Sequence, residues 1–215
     1  MKKVFKVALV AVSLILVSTG IYAQFSANVG YVSTTSSIDG SDALPGITAG
    51  IGYDMEVQGG VGLSWGLNYT YAWDKEEGSF FGVTGTSTSK DHYLDIPVRL
   101  TYSYPVSDAI KVFGFAGPKF VYAVAGQNTY KLSSSIGSTS NDPVDHYKDT
   151  NLSRFDIKAG LGAGISFNAI TLKGGYDWGL LNQNKFYGSD KIEHILVKDD
   201  VLKSNHFYVT LGYAF

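Results

Sequence analysis

The sequence predicts an all-β fold: an eight-stranded antiparallel up-and-down transmembrane β-barrel. Three observations point there. Apolar residues recur at every second position in eight separate stretches, the period of a strand with two unlike faces. The links between these stretches alternate between short and long. The composition is poor in the charge that coats a soluble surface: 17% of the 215 residues are charged, while 14% are aromatic and 25 are glycine. An average soluble domain carries roughly 25% charged residues.

The first 23 residues read as a secretory signal peptide. Lys2, Lys3 and Lys6 form a basic start, and Val7 to Val17 is an apolar run interrupted by Ser13. Ser18-Thr19-Gly20-Ile21-Tyr22-Ala23 follows, with Ile21 larger than the usual residue three before the cut, and cleavage is expected between Ala23 and Gln24. The apolar run has about half the ~20 residues that a spanning helix needs, which argues against a permanent anchor. No cysteine is present, so a lipidated cysteine, a disulfide framework and thiol chemistry are excluded. Removing the three lysines leaves 14 basic and 19 acidic residues, a net charge of −5 for residues 24–215. No basic patch or nucleic-acid motif is present, so nucleic acid is not expected as a partner.

Residues 24–215 then form one barrel domain. The first strand runs over about 24–34, with Phe25, Ala27, Val29 and Tyr31 on one face. The second, about 46–56, carries Ile47, Ala49, Ile51, Tyr53 and Met55. The third, about 60–74, has seven matches in succession from Val61 through Trp65 to Trp73, and the fourth, about 91–104, runs from His92 to Tyr104. The fifth, about 110–125, is less regular, because Phe113 and Phe115 oppose the even-numbered set. The sixth, about 153–167, runs from Phe155 to Phe167, and the seventh, about 170–181, carries Ile170, Leu172, Tyr176, Trp178 and Leu180. The eighth, 205–215, alternates Phe207, Val209, Leu211, Tyr213 and Phe215 with smaller or more polar residues. Each meets the ~9–11 residues of a tilted membrane strand. Short links of about two to five residues alternate with long ones of about 11 to 27. Sorting the short and long links onto opposite ends is the pattern of an outer-membrane barrel.

The opposite face decides where the apolar face points. It is rich in glycine and carries both signs of charge, as expected for the narrow interior of an eight-stranded barrel. Asp95, Arg99, Arg154, Asp156, Lys158, Lys173 and Asp177 are expected to pair across the lumen, because buried charges need partners. Aromatic residues gather toward strand ends around an aliphatic band, as in two membrane girdles. A secreted lipocalin-like barrel is the soluble alternative, and it predicts partitioning into water without detergent.

Tyr93-Leu94-Asp95-Ile96-Pro97-Val98 places a proline inside a strand, and Ala116-Gly117-Pro118 places a second. Proline donates nothing to a ladder, so a bulge is expected near Pro97. Together with Gly174-Gly175-Tyr176-Asp177-Trp178-Gly179-Leu180 and the terminal Gly212-Tyr213-Ala214-Phe215, these motifs resemble the outer-membrane β-barrel domain family of Bacteroidetes-type bacteria. They are similar to its PorT-like group of small barrels, whose architecture is that of OmpX/OmpA-type barrels. The resemblance covers residues 24–215. It implies a barrel type placed in a Gram-negative outer membrane, without one fixed activity; some members belong to secretion or gliding machinery.

The expected partners are outer-membrane lipid, the barrel-assembly machinery during biogenesis, and a further outer-membrane protein. Tyr213 and Phe215 form the expected assembly signal. No catalytic, cofactor or metal residue is assigned. His92 with Ser89 and Asp91, and His206 with Ser204, form no spacing that demands catalysis, and all four histidines are expected to be exposed in loops. Asn141 to Asp149 collects oxygen ligands without the order of a calcium loop. Ser133 to Ser140 is expected to be a flexible link, and Ser79 to Val83 is expected to fold back on the barrel rim. The lumen is expected to be filled. The function expected is that of a structural or interaction barrel, or a subunit of a secretion or transport assembly. A narrow porin-like channel is the alternative, and a lipid-modifying enzyme the weaker one.

Overall fold

The computed structural model describes residues 22–37, 43–135, 137–145, 147, 152–183 and 202–215. Ten strands are present: β1 (Tyr22–Ser36), β2 (Leu44–Gln58), β3 (Val61–Phe80), β4 (Val83–Pro105), β5 (Ile110–Ser134), β6 (Gly137–Ser140), β7 (Val144–Asp145), β8 (Phe155–Phe167), β9 (Ile170–Gly179) and β10 (Ser204–Ala214). Eight of them close an antiparallel ring in the order β1-β2-β3-β4-β5-β8-β9-β10, and β10 returns to β1. The short β6 and β7 pair with the outer part of β5 and lie off the ring. The eight-stranded barrel is therefore formed, and its backbone groups are paired around the circle as a hydrocarbon environment requires.

The closing seam joins Ser26 to Ala214 and continues to Ser36 opposite Ser204. The amide of Phe215 donates to the carbonyl of Phe25 at 2.9 Å, extending the seam to the last residue. At one end the links are tight. Gly59-Gly60 joins β2 to β3, and both glycines take positive φ (63° and 82°), as a two-residue hairpin turn requires. Asn168-Ala169 joins β8 to β9, with Asn168 at φ 49°. This is the turn end; the opposite end is the loop end.

Two of the expected long links are instead hairpin extensions. β3 and β4 stay paired out to Phe80 opposite Val83, and Phe81-Gly82 (φ 47° and 78°) makes the turn. β5 follows β4 to Ser134 opposite Val83, and Ser133 to Ser140 continues as the β5–β6 hairpin rather than a flexible link. The result is a ribbon of β3, β4 and β5 projecting beyond the ring. The reason lies in Val83-Thr84-Gly85-Thr86-Ser87-Thr88-Ser89. Threonine is β-branched and favours strands, but the stretch lacks the apolar alternation that marks a membrane strand.

Two further expectations change. No bulge falls at Pro97. The β4–β5 register is the same on both sides of it, with Pro97 opposite Lys119 and Leu100 opposite Ala116, and the ladder opens over the two intervening pairs. The bulge lies five residues away, between His92 and Tyr93, where β5 gains Val124. The irregular fifth strand has a different cause. Phe113 and Phe115 point into the lumen because glycines on β8 leave room for them: a Cβ on Gly162 would strike the Phe115 ring, and one on Gly164 the Phe113 ring.

Outside, Val29, Ile51, Leu67, Leu100, Leu161, Leu172 and Leu211 are exposed in a continuous aliphatic band. Toward the turn end Phe25, Tyr53 and Trp65 form one aromatic group, with ring centroids 4.9 and 5.9 Å apart. Trp65 therefore joins the lower girdle instead of interrupting the band. At the loop end Tyr71 and Trp73 stack at 5.4 Å.

Candidate functional site

Three features could carry function: a charged plug inside the barrel, the cavity beneath it, and the outer ribbon. The plug is built on Asp177 of β9, which is fully buried. Its carboxylate accepts from Arg99 Nη2 at 2.5 Å and pairs with Lys119 Nζ at 2.7 Å. Nη1 of Arg99 donates to the Gly117 carbonyl, where the β4–β5 ladder has opened. Gly117 has φ +153°, and a Cβ there would collide with the Val98 carbonyl. The Ala-Gly-Pro motif therefore opens backbone for a lumenal arginine to fill.

Lys119 also lies 2.9 Å from His206 Nδ1. An ammonium only donates, so that nitrogen accepts. Lys158 pairs with Asp156 at 2.8 Å and donates to Ser204 Oγ at 3.0 Å. Thr70 donates to Asp95 at 2.7 Å. The plug thus holds Asp95, Arg99, Asp156, Lys158 and Asp177 from the expected set. Lys119 and His206 are additions. His206 is 1% exposed, not a loop residue. Its even position in β10, on the same face as Thr210 and Gly212, is the sequence signal for this. Lys119 carried no clear signal because the phase of its strand was obscured.

Arg154 lies elsewhere. It pairs with Asp145 of β7 at 2.9 Å, donates to the Val124 carbonyl at 2.8 Å, and stacks over the Tyr147 ring at 5.2 Å. Arg154 immediately precedes β8 at the loop end, too high to reach Asp177. Its own neighbourhood caps the lumen: the Tyr147 hydroxyl reaches Tyr93 at 3.4 Å. Burial, followed by the nearby Asp91 carboxylate, pushes the Tyr147 phenol well above its usual range.

Beneath the plug the lumen is not filled. A cavity of about 690 Å³ runs from Asp177, Arg99 and Tyr208 down to Asp108, Asn168 and Phe215 at the turn end. Asp54 and Lys173 lie on its wall and interact electrostatically. Lys173 thus belongs to the cavity wall rather than to the plug. Short side chains such as Ser26, Asn28, Ser64, Asn68 and Thr171 line part of the wall and leave this space open.

The histidine arrangements do not make a catalytic set. Ser89 and Asp91 alternate onto the face opposite His92, so His92 faces outward without them. Its Nδ1 bonds the Tyr69 hydroxyl. Ser204 and His206 face the lumen among lysines. His146 and His194, part of the Asn141 to Asp149 stretch, and residues 1–21 of the expected signal peptide lie outside the described residues. Ala23 and Gln24 lie within β1. Among the described residues no group of three or more His, Cys, Asp or Glu could hold a metal.

The outer ribbon changes polarity above Trp73. One face carries Lys75, Glu77, Thr84, Thr86 and Thr88, with Lys75 and Glu77 paired at 2.6 Å. The other carries Phe80, Val83, Tyr130 and Leu132, and Phe81 sits at the turn. Phe80 and Phe81 are 77% and 91% exposed, with rings edge to face at 4.5 Å. This tip projects outward; it does not fold back onto the rim. Phe81 takes the first position of the turn, at φ 47°.

Comparison with known proteins gives a family and several distant structural likenesses. The attachment invasion locus protein Ail of Yersinia pestis is 16% identical, with 90% of this chain and 99% of that chain covered and a TM-score of 0.39. Neisserial surface protein A is 12% identical, covering 91% and 99%, with a TM-score of 0.41. The outer membrane enzyme PagL is 16% identical, covering 86% and 98%, with a TM-score of 0.40. No curated protein sequence matches the chain. A family model for the outer membrane protein beta-barrel domain matches residues 15–183. With most of the chain matched and the eight-stranded ring closed, this protein belongs to the outer membrane protein beta-barrel domain family and resides in the outer membrane.

Proposed function

We propose that this protein is an interaction barrel, which anchors a ribbon at the outer membrane and presents its apolar face to another envelope protein. The observation that carries this is the exposed cluster of Phe80, Phe81, Val83, Tyr130 and Leu132 beyond the ring. Apolar side chains in the membrane band are covered by lipid; these project past it. A contiguous apolar patch in water marks a surface that is covered in use, and aromatic residues are enriched at the centres of interfaces. In this reading the turn end faces the periplasm, and the ribbon stands on the outer side. Membership of a larger secretion or transport assembly, as in the PorT-like group, fits the same surface.

The test is co-purification in mild detergent. A Phe80→Ser/Phe81→Ser variant is expected to fold normally and to lose its partner. Retention of the same partner at wild-type levels by this variant rejects the ribbon as the docking surface.

A second reading is favoured by one feature, the cavity that stops at the plug. A channel would require Arg99, Asp177 and Lys119 to part. Planar-bilayer recording separates the two: the interaction barrel is silent, whereas a channel shows steps that grow when Lys119 is replaced by Ala. Lipid-modifying chemistry is not proposed, because the outward His92 has neither Ser89 nor Asp91 on its own face.

A further inference from the structure

The cavity beneath the plug holds two charges that the plug does not use. Lys173 of β9 and Asp54 of β2 both line it. Each lies on the inward face of its strand: Lys173 stands opposite Gly164 and Thr210, and Asp54 opposite Gln24 and Ser64. Asp54 is exposed and Lys173 half-buried although both point into the barrel, so the surface they show is cavity surface. The two act on each other electrostatically without forming an ion pair. Among the described residues, Lys173 makes no ion pair or hydrogen bond, and Asp54 accepts one hydrogen bond, from Ser26 Oγ at 3.2 Å. The charges on either side of them are arranged differently. At the turn-end mouth Lys111 and Glu56 are paired at 3.1 Å, and in the plug Arg99 and Lys119 share Asp177.

Charges taken out of bulk water are normally paired or hydrogen-bonded. An ammonium and a carboxylate held apart on one cavity wall therefore suit a ligand that carries both opposite charges. The rest of the wall is mixed. Phe113 and Phe115, with ring centroids 6.2 Å apart, supply apolar surface. Asn28 Nδ2 donates to Asn68 Oδ1 at 3.2 Å, and the Asn28 carbonyl and the Asn68 amino group remain as further acceptor and donor. The volume of about 690 Å³ falls within the ~300–1,000 Å³ of small-molecule sites.

We infer that this cavity binds a short peptide of two or three residues with free termini, entering at the turn end. Its carboxylate meets Lys173 and its ammonium meets Asp54. Its peptide groups meet Asn28 and Asn68, and an apolar side chain packs on Phe113 and Phe115. A neutral sugar could use the asparagines and the rings, but it would leave both charges unmet. Placing the entrance in the periplasm rests on the orientation proposed above; binding itself does not.

Isothermal titration calorimetry of the detergent-solubilised full chain tests this, with the dipeptide alanyl-phenylalanine as the probe. Saturable one-to-one binding is expected. Lys173→Met and Asp54→Asn should each bind at least about tenfold more weakly, the loss of one charge-assisted hydrogen bond, while keeping the folded, heat-modifiable migration of the barrel. On the wild-type chain, the amidated dipeptide and the N-acetylated dipeptide should be weakened to the same extent, which keeps the inference falsifiable where a variant fails to fold. Lys173→Met should bind the amidated form as wild type does, and Asp54→Asn the N-acetylated form. Phe80→Ser/Phe81→Ser should bind the dipeptide normally, so failure of the ribbon as a docking surface and failure of this site are told apart. Absence of saturable binding, wild-type affinity in either charge variant, undiminished binding of either blocked dipeptide, or equal binding of the neutral sugar maltose would each overturn the inference.

Discussion

Replacing Asp177 by Asn isolates the energetics of the plug. The carboxylate is fully buried and holds two cations, at 2.5 and 2.7 Å. Asn keeps the shape and one acceptor but removes the charge. Two cations that are themselves 5% and 6% exposed then lose their counter-ion. Removing one partner of a buried ion pair costs ~3–5 kcal/mol. The lower end applies here, because Arg99 keeps the Gly117 carbonyl and Lys119 keeps His206. A loss of about 3 kcal/mol is about a hundredfold in the folding equilibrium. Reversible urea unfolding in phospholipid vesicles reads it directly. The three tryptophans, Trp65, Trp73 and Trp178, all face lipid, so their fluorescence follows insertion. The variant Arg99→Met/Asp177→Leu supplies the control. It removes the closest pair together, and such replacements are often neutral or stabilising, so it should recover the share of the loss due to Arg99 and leave the share due to Lys119. A loss under about 1 kcal/mol for Asp177→Asn would refute the reasoning, because the lysine and arginine would then not depend on that carboxylate.

Two further outcomes follow from the backbone. Gly117→Ala forces a side chain at φ +153° against the Val98 carbonyl; backbone strain of this kind costs ~1–3 kcal/mol, and the same urea titration should show at least that loss. Deleting Tyr213 to Phe215 removes the amide that donates to Phe25 and two lipid-facing rings that meet edge to face at 5.3 Å. The truncated chain is expected to insert poorly, so the fraction of heat-modifiable protein in membranes should fall; an unchanged fraction would mean that β10 is recognised by other residues.

The eight strands were legible because two constraints act on each of them. Lipid demands apolar residues outward, and a narrow lumen demands small or paired residues inward. Together they print a period of two that needs no tertiary knowledge. Where one constraint relaxes, legibility fails. In the ribbon no lipid acts, so Thr84, Thr86 and Thr88 alternate without apolar contrast and read as a loop. At β5 the lumen accepts Phe113 and Phe115 because Gly164 and Gly162 stand across from them, a complementarity between strands that are distant in sequence. The same strand takes up Val124 at a bulge, which reverses phase. Lys119 was lost in that confusion, although it is central to the plug. His206 was legible from its even position and was obscured by its nearness to a long link. The depth of the cavity was not legible at all, since it depends on the summed reach of side chains from many strands.

The polarity reversal along β3 links fold to function. Through Trp73 the outward face is apolar; from Lys75 it is polar, and the apolar residues move to the other face at Phe80, Val83, Tyr130 and Leu132. The strand runs on without a break in its β3–β4 register across that point. A continuous pair of strands cannot turn its faces over without a bulge, so the inversion is written in the sequence alone. Inside the membrane band the outward face meets lipid, and beyond it that face meets headgroups and water, which accounts for Lys75, Lys90 and the threonines. The inner face loses the lumen beyond the ring and gains apolar residues that nothing among the described residues covers. Membrane solvation explains the first change and cannot explain the second. A ribbon that needed only to be soluble would be polar on both faces. The residues that lie past the barrel and are apolar there are consequently the ones on which the proposed docking of another protein rests.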